Sequence, residues 1–577
     1  MKKKLLPALI VTGLIILVVI IMGITALINK YTPTKKTEDL KEYFNISSDD
    51  EVALIVNNEL SDYKAKIIDK KIYVDYKFVH DSLNSRFYWD ANENVLLYTT
   101  ASDIISAAAD SNSYSVTKQT NDFGYPIVKA TSDSALIALD YVKQYSNITF
   151  KSYDDPARIV ITSKWNEIDS ATVSKPTQVR VKGGIKSPIL KEVKKDDKIT
   201  ILDSGDKWDK VATEDGVIGY IKRKALSESK KTKLTNPDYE EETFTHIKKD
   251  KDICLAWNQV TSQSANSKVP QVISSTKGIN VMSPTWFYLN DNNGNLADIA
   301  SKDYVSYCHS QGIEVWGLFS NLENTDVDAA YVLTHTSTRT TLINQIMSAA
   351  FNYELDGVNI DFENITEAAY GDSYIEFIRE LAIKCHNNGI SLSVDVTVPA
   401  SFNKFFNRSD MANFADYIVI MGYDEHYKGS DAGSVSSIPW VTEGVESTLK
   451  EVPADQIILG MPFYTRIWEL TPKEDDDAVT DTEDQSKYTV ASQVYSMDAA
   501  AAQLATNNAT AALDEESGQN YAEWSVSNKL YKVWLEDTTS LEKRLKLVDD
   551  NKLAGAAFWK LGFENSSVWD TVIKYLN

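Results

Sequence analysis

Apolar strand-like runs alternate with amphipathic helix-like runs across residues 244–577, and this alternation constrains the fold more than any other feature. Eight runs have strand character: ICLAWNQV, INVMSPTWF, IEVWGLFS, LDGVNIDFE, SLSVDVTV, YIVIMGY, IILGMPF and GAAFWKLG. Helix-like segments such as RTTLINQIMSAAFNYE lie between them, and several end in glycine, as helices often do. Eight strand–helix units in about 250–330 residues predict a (β/α)8 barrel, an α/β fold.

The interval between the seventh and eighth strands, residues 464–552, is too long for a simple connection. We therefore expect an α+β insertion there. Its acidic piece, EDDDAVTDTED at residues 474–484, lacks the glycine and the terminal glutamate of a calcium-binding loop. We expect a solvated loop at this place and no metal site.

The fourth strand, LDGVNIDFEN at residues 355–364, carries a polar row where a strand of a parallel barrel should be apolar on both faces. Asn359, Asp361 and Glu363 share one face, and apolar residues fill the other. We expect the polar face inside the barrel, with Glu363 at the C-terminal mouth. No Lys or Arg stands at a nearby interior position to pair with these carboxylates. Two adjacent carboxyls raise each other's pKa, so one can stay protonated and act as a general acid.

At this strand the sequence resembles glycoside hydrolase family 18, the chitinase family. DGVNIDFE is similar to the DxxDxDxE signature: Asp356, Asp361 and Glu363 match, Gly357 follows the first Asp, and Asn359 replaces an Asp. Three further segments fit the family in order: MGYD at 421–424, GMPFYTRIW at 460–468 and FWKLG at 558–562.

The resemblance implies a retaining mechanism in which the sugar's own 2-acetamido group is the nucleophile. Glu363 is then the general acid and base, Asp361 stabilises the charged intermediate, and Tyr423 holds the acetamido carbonyl. Asn359 is expected to hydrogen-bond Asp361 from below. No metal or organic cofactor is implied. The residues expected to bind substrate are Asn359, Asp424, Trp559, Met421, Tyr464 and Arg466.

Within the family, VWLEDTTSLEKRLKLV and GAAFWKLG look closest to the spore-cortex and cell-wall N-acetylglucosaminidases. The third strand reads WGLFSN, where typical chitinases carry a serine–glycine–glycine motif. We therefore expect cleavage after N-acetylglucosamine in peptidoglycan. Two alternatives stay open: a chitinase or endo-β-N-acetylglucosaminidase of the same chemistry, and a carbohydrate-binding protein without activity.

The N-terminal segment, residues 1–30, begins MKKK and continues with an uncharged apolar run long enough to cross a bilayer. The run is long for a cleavable signal and its cleavage motif is poor, which favours a single-pass membrane anchor with the rest of the chain extracellular. A cleaved signal, giving a secreted protein, is the alternative. Residues 31–48 read as a linker. The net charge of −23 argues against nucleic acid as a partner.

Two small modules are expected before the barrel. Residues 49–165 contain a weak repeat, 78–100 against 141–163, in which each copy reads as helix, strand, turn, strand. This region resembles the N-terminal domain of copper amine oxidases without its copper ligands. Residues 172–228 read as short strands between turns and resemble a bacterial SH3-like β-barrel. It would bind the cell wall or serve as a spacer, and residues 229–243 form a second linker. The cysteines, Cys254, Cys308 and Cys385, are expected to be buried free thiols.

Overall fold

The eight apolar runs form eight parallel strands that close into a barrel in the computed structural model, which describes residues 2–48, 50–363, 365, 370–473 and 484–576. Each strand pairs with the next, and the first strand pairs with both the second and the eighth. The predicted (β/α)8 barrel is confirmed. Its strands are β1 Ile253–Asn258, β2 Val281–Leu289, β3 Glu314–Ser320, β4 Gly357–Asp361, β5 Ser391–Thr397, β6 Tyr417–Met421, β7 Ile457–Pro462 and β8 Gly555–Trp559. A short strand, Leu296–Asp298, pairs antiparallel with β2.

Amphipathic helices surround the barrel and bury their apolar faces against the strands. The helix Gly371–His386 illustrates the local causes: Asp372 lies in its first turn, and Lys384 and His386 lie in its last, which complements the helix dipole. The helices of this outer layer are Val269–Val272, Lys302–Ser310, Ala329–Thr334, Thr336–Tyr353, Gly371–His386, Arg408–Phe414, Ile438–Thr448, Thr538–Asn551 and Val568–Tyr575.

Large aromatic side chains fill the barrel interior. Trp257 and Trp316 are fully buried there, and the ring of Trp316 stacks on Tyr417 at 5.6 Å between centroids. Gly357 gives this packing its room, because a Cβ at this position would lie 2.5 Å from Cδ1 of Trp316. The described part of the interior is therefore a packed core, and a ligand is expected at the mouth.

An antiparallel five-stranded sheet with one helix lies between β7 and β8. In spatial order its strands are Tyr488–Ser496, Tyr464–Pro472, Lys529–Leu535, Gln519–Val526 and Ala512–Asp514, and its helix is Met497–Thr506. Glu536, just after this sheet, is buried and accepts hydrogen bonds from Gln519 Nε2 at 2.8 Å and Ser540 Oγ at 2.7 Å. Arg544 pairs with the same carboxylate and donates to the Ser436 carbonyl at 2.6 Å. Residues 474–483, most of the acidic piece expected to be a solvated loop, lie outside the described residues.

The chain forms two compact units. The second contains the barrel and comprises Asp90–Ser106, Ser115–Gln119 and Glu242–Asn577; the first comprises Met1–Trp89, Ala107–Tyr114 and Thr120–Glu241. Two seven-stranded sheets make up most of the first unit. In spatial order, the strands of the first sheet are Thr149–Tyr153, Arg158–Thr162, Glu51–Val56, Glu59–Ile68, Lys71–Asp75, Ala135–Ala138 and Val128–Ala130. The strands of the second sheet are Ile189–Val193, Thr177–Arg180, Ile218–Lys222, Trp208–Thr213, Lys198–Asp203, Glu167–Thr172 and Lys230–Lys233.

Both copies of the weak repeat fold as a short helix followed by two strands. The first copy has the helix Tyr76–Ser82 with strands Phe87–Asp90 and Val95–Thr99, and the second has the helix Leu139–Gln144 with strands Thr149–Tyr153 and Arg158–Thr162. The other elements before the barrel are the helices Lys2–Tyr31 and Leu40–Tyr43 and the strands Ile104–Ala108, Ser113–Val116 and Gln119–Asp122. The three cysteines are buried and free, as predicted.

Candidate active site

Strand β4 presents its two faces as the sequence predicts. Val358, Ile360 and Phe362 pack into the core between strands and helices, where the ring of Phe362 stacks on Phe377 at 5.6 Å between centroids. Asn359 and Asp361 are buried on the inner face. Glu363 follows the strand at the open end, and its backbone N–H donates to Asn321 Oδ1 at 3.1 Å. Asn321 ends the WGLFSN segment, so the residue after β3 helps to place Glu363.

The expected hydrogen bond from Asn359 to Asp361 is wrong. Asn359 Oδ1 accepts from Trp257 Nε1 and from Ser283 Oγ, each at 2.9 Å. Its Nδ2 donates to Ser393 Oγ at 3.0 Å and to Asp395 Oδ1 at 2.7 Å. All four hydrogen-bonding positions of the amide are therefore filled, and the carboxylate it reaches lies on β5.

Asp395 is a carboxyl of the site that the sequence did not reveal. It is buried on the inner face of β5, and the parallel register pairs Asn359 with Ser393, which sets Asp361 beside Asp395 two residues further on. The signal was present in SLSVDVTV, where Ser391, Ser393 and Asp395 alternate with apolar residues. The polar row of β4 thus continues sideways onto β5.

A cavity of about 640 Å³ opens at the C-terminal mouth above these residues. All three residues predicted to be catalytic, Asp361, Glu363 and Tyr423, line it. Of the six predicted to bind substrate, three line the cavity: Met421, Asp424 and Trp559. The sequence interpretation missed Trp257, Asp395, Phe402, Glu425, Tyr427 and Trp440, which also line it.

Two predicted substrate-binding residues, Tyr464 and Arg466, are not among the described residues that line the cavity, and both contact Asp424. The Tyr464 hydroxyl donates to Asp424 Oδ1, and Arg466 Nη2 lies 3.7 Å from the same oxygen. Asp424 has a positive φ of 59°, a conformation that Asp tolerates better than most residues. Both side chains therefore fix the orientation of the aspartate that borders the cavity.

An aromatic row forms the floor of the cavity. The ring centroid of Trp257 lies 5.9 Å from that of Trp559 and 6.4 Å from that of Tyr423, both in edge-to-face geometry. Such surfaces suit the apolar face of a sugar ring.

The two motif residues at the start of β4, Asp356 and Gly357, lie against residues of strand β3. Asp356 Oδ2 accepts the backbone N–H of Val315 at 2.8 Å and lies 2.8 Å from Nε2 of His309. Gly357 makes room for Trp316, as described above. Asp356 therefore joins β3 to β4 at the end opposite the cavity.

The family of the barrel follows from comparison with known proteins. Residues 318–564 match the model of the glycosyl hydrolases family 18. The chain contains a family 18 domain. This match spans most of the barrel, from β3 past β8, and includes the polar row of β4.

Curated relatives match the family 18 domain at low identity. An uncharacterized glycosylase, YvbX of Bacillus subtilis, is 24% identical over 302 residues, 49% of this chain and 81% of the relative. The cortical fragment-lytic enzyme of Bacillus subtilis is 24% identical over 287 residues, 48% of this chain and 63% of that enzyme. Among solved structures, the Bacillus cereus spore cortex-lytic enzyme SleL is similar in fold, with a TM-score of 0.50 and 18% identity, over 56% of this chain and 74% of SleL.

The cavity of the family 18 domain concentrates carboxyl groups, and Asp424 is the one that has a cation nearby, Arg466 at 3.7 Å, among the described residues. No Lys, Arg or His is among the described residues that line the cavity. Burial, and then the charges of Asp395 and Glu363, raise the pKa of Asp361 well above its usual range. Burial also raises the pKa of Asp395, although the hydrogen bond from Asn359 opposes this shift. Both shifts favour the protonated form, and two adjacent carboxyls resist being charged at the same time.

Glu363 lies at the more accessible side of the cavity. Partial removal from water, together with the charges of Asp424 and Glu323, raises its pKa above the usual range of a glutamate. Burial and the neighbouring carboxyls also raise the pKa of Tyr423, so its hydroxyl remains a hydrogen-bond donor. The cavity thus combines a carboxyl whose pKa is raised, a second carboxyl and a neutral hydroxyl, which are the groups needed to cleave an acetal bond.

Proposed function

We propose that the family 18 domain hydrolyses the β-1,4 bond after N-acetylglucosamine in peptidoglycan, with retention of configuration and with help from the substrate's acetamido group. The observation that carries the proposal is the position of Asp361 and Glu363 in one cavity that has an aromatic floor and no cation among its described lining residues. The uncharged N-acetylglucosamine unit next to the cleaved bond requires no such cation, whereas a phosphoryl group would.

Glu363 starts the reaction as the general acid. Its raised pKa favours the protonated form, and it donates this proton to the glycosidic oxygen as the bond to C1 breaks. The acetamido carbonyl oxygen of the same sugar attacks C1 and forms an oxazolinium ion. Glu363, now a carboxylate, takes a proton from a water molecule as the water oxygen attacks C1. This attack opens the oxazolinium ring and gives a product with the original configuration at C1.

Asp361 and Tyr423 act on the acetamido group. The Asp361 carboxylate accepts the acetamido N–H and stabilises the positive charge of the oxazolinium ion. The neutral Tyr423 hydroxyl donates to the acetamido carbonyl and holds it close to C1. Trp559 and Trp257 pack under the sugar, and Asp424, held by Tyr464, borders the same subsite.

Peptidoglycan is favoured over chitin by two observations. One of the two B. subtilis relatives is a cortical fragment-lytic enzyme. In addition, the third strand reads WGLFSN, where typical chitinases carry a serine–glycine–glycine motif. Asn321 in this segment contacts the backbone of the proposed acid, so the change lies at the site itself.

Release of new reducing ends tests the proposal. Purified protein is incubated with peptidoglycan, with chitin oligomers and with a glycoprotein, and the reducing ends are measured over time. Glu363→Gln should abolish release on every substrate that the wild type cleaves, because the amide N–H is far too weak an acid to protonate the glycosidic oxygen. Glu515→Gln, an identical change in an exposed turn, is the matched control. Equal release by wild type and Glu363→Gln would refute the role of Glu363, and carbohydrate binding without turnover would favour a non-catalytic protein.

We also propose that the N-terminal helix anchors the protein in the cell membrane with the barrel outside. Leu9–Tyr31 is long and apolar enough to cross a bilayer, although a signal sequence passes the same test. Membrane-bound protein that resists carbonate extraction and retains its N-terminus would support the anchor. Recovery of a shortened chain in the medium would support a cleaved signal.

Residues 172–228 are proposed to bind the cell wall. A cavity of about 510 Å³ beside Trp208 is lined by Lys207, Lys222 and Arg223, which suits the carboxylates of wall peptides. Cosedimentation of the Glu363→Gln protein with purified wall sacculi should weaken when Trp208→Ala is added. Unchanged sedimentation would indicate that this region is a spacer.

A further inference from the structure

We propose that Asp395 is a positioning residue for Asp361: it receives the proton of Asp361 when the sugar's acetamido group arrives. Asp361 is then a carboxylate only while the positively charged oxazolinium intermediate is present. The inference rests on the proposed function, because it assigns a partner to the carboxyl that stabilises the oxazolinium ion. The family signature has an aspartate at the position of Asn359, two residues before Asp361. Because this chain has an asparagine there, β4 has no second aspartate that could accept the proton.

Strand register places the two aspartates side by side. Asn359 pairs with Ser393 and Ile360 pairs with Val394 in the parallel ladder of β4 and β5, so Asp361 and Asp395 are the next neighbours on the inner face. Adjacent strands lie about 4.8 Å apart, which brings such side chains within reach of a shared proton. Both are buried, at 9% and 3% exposure, and both line the cavity.

Hydrogen bonding distinguishes the two carboxyls. Asp395 Oδ1 accepts from Asn359 Nδ2 at 2.7 Å, whereas Asp361 Oδ1 is buried without a hydrogen-bond partner among the described residues. A donated hydrogen bond favours the charged form of a carboxyl, and burial without a donor favours the neutral form. Before substrate binds, the charge therefore belongs on Asp395 and the proton on Asp361.

Asn359 and Asp395 are matched to each other. The indole N–H of Trp257 can only donate, so the oxygen of the Asn359 amide must face Trp257 and its NH2 must face Asp395. An aspartate at position 359 would instead direct a second acceptor at Asp395. The asparagine therefore limits the repulsion on Asp395.

The proton transfer balances within the pair. The O–H bond of Asp361 breaks and an O–H bond forms on Asp395, so the pair carries one negative charge before and after. Asp361 can then accept the acetamido N–H, and the proton returns when water opens the oxazolinium ring. Four other titratable groups face this pair: Glu363 after β4, Glu323 after β3, Tyr423 after β6 and Tyr374 on the helix Gly371–His386.

The pH dependence of kcat tests the proposal. In Asp395→Asn, Asp361 must lose its proton to solvent from a buried position, so kcat should fall roughly tenfold to hundredfold. The acidic limb of the profile should move to higher pH, with KM little changed. The exchange variant Asn359→Asp/Asp395→Asn restores one carboxyl beside an amide and should return the limb towards its wild-type position. Ser393→Ala removes a hydrogen bond to Asn359 without changing charge and should leave the limb in place.

An infrared titration tests the shared proton without activity. The comparison uses Glu363→Gln protein with and without Asp395→Asn, so that the proposed acid does not contribute. With Asp395 present, the C=O band of a protonated carboxyl should persist to alkaline pH, because a second deprotonation would leave two adjacent charges. With Asp395→Asn the band should disappear at lower pH. Identical titrations, or an acidic limb that Asp395→Asn does not move, would overturn the inference. An inactive wild-type protein would refute the proposed function instead.

Discussion

Glu323 offers a test of the electrostatics at the proposed acid without altering the cavity. It lies on the loop after β3, is exposed to solvent, and does not line the cavity. Ser320 Oγ donates to its carboxylate. The negative charge of Glu323 raises the pKa of Glu363, after the larger effects of burial and Asp424. Glu323→Gln therefore removes one charge and keeps the shape of the side chain.

The size of the effect follows from the exposure of Glu323. A solvent-screened charge interaction is worth about 0.2–1 kcal/mol, and one pKa unit corresponds to about 1.4 kcal/mol. The pKa of Glu363 should therefore fall by about 0.1–0.7 unit. Because Glu363 must be protonated to act, activity is lost as the pH rises through its pKa. The alkaline limb of kcat should move down by the same amount, and less at high salt, where the Debye length is shorter.

Initial rates of reducing-end release, measured from pH 4 to 10 at low and high salt, give the position of this limb. Glu515→Gln removes a charge from the exposed turn between the insertion strands Ala512–Asp514 and Gln519–Val526 and should leave the limb in place. An alkaline limb that moves up in Glu323→Gln, or stays in place at low salt, would refute the electrostatic reasoning.

Three further outcomes are expected. Gly357→Ala should destabilise the barrel by about 1–3 kcal/mol in urea unfolding, because its Cβ would overlap the buried Trp316 ring; an unchanged midpoint would contradict this packing. Tyr464→Phe should lower kcat/KM roughly tenfold without loss of stability, since Asp424 loses its donor; wild-type kinetics would show that the contact does not matter. Dialysis against EDTA should leave the rate unchanged, because the proposed mechanism uses only protein side chains and the substrate's own acetamido group; loss of activity restored by a divalent ion would contradict this.

The barrel and the polar row of β4 could be predicted because both follow from local patterns. Alternation along β4 determines which residues face inward, and the order of the strands determines their neighbours. The position of Glu363 at the mouth follows from its place after the last strand residue.

The partners within the site could not be predicted, because they depend on strand register. Asn359 was assigned to Asp361 two residues along the same strand, yet its amide reaches Asp395 on β5. A one-residue change of register would have turned Asp395 to the outer face. Tyr464 and Arg466 show the same limit: their motif was recognised, but only the folded loops reveal that they contact Asp424.

Mass spectrometry of the products released from peptidoglycan tests the central claim most directly, because the new reducing end identifies the bond that was cut. Wild-type protein should release fragments that end in N-acetylglucosamine, and Glu363→Gln should release none. Fragments that end in N-acetylmuramic acid, or the same fragments from both proteins, would contradict the claim.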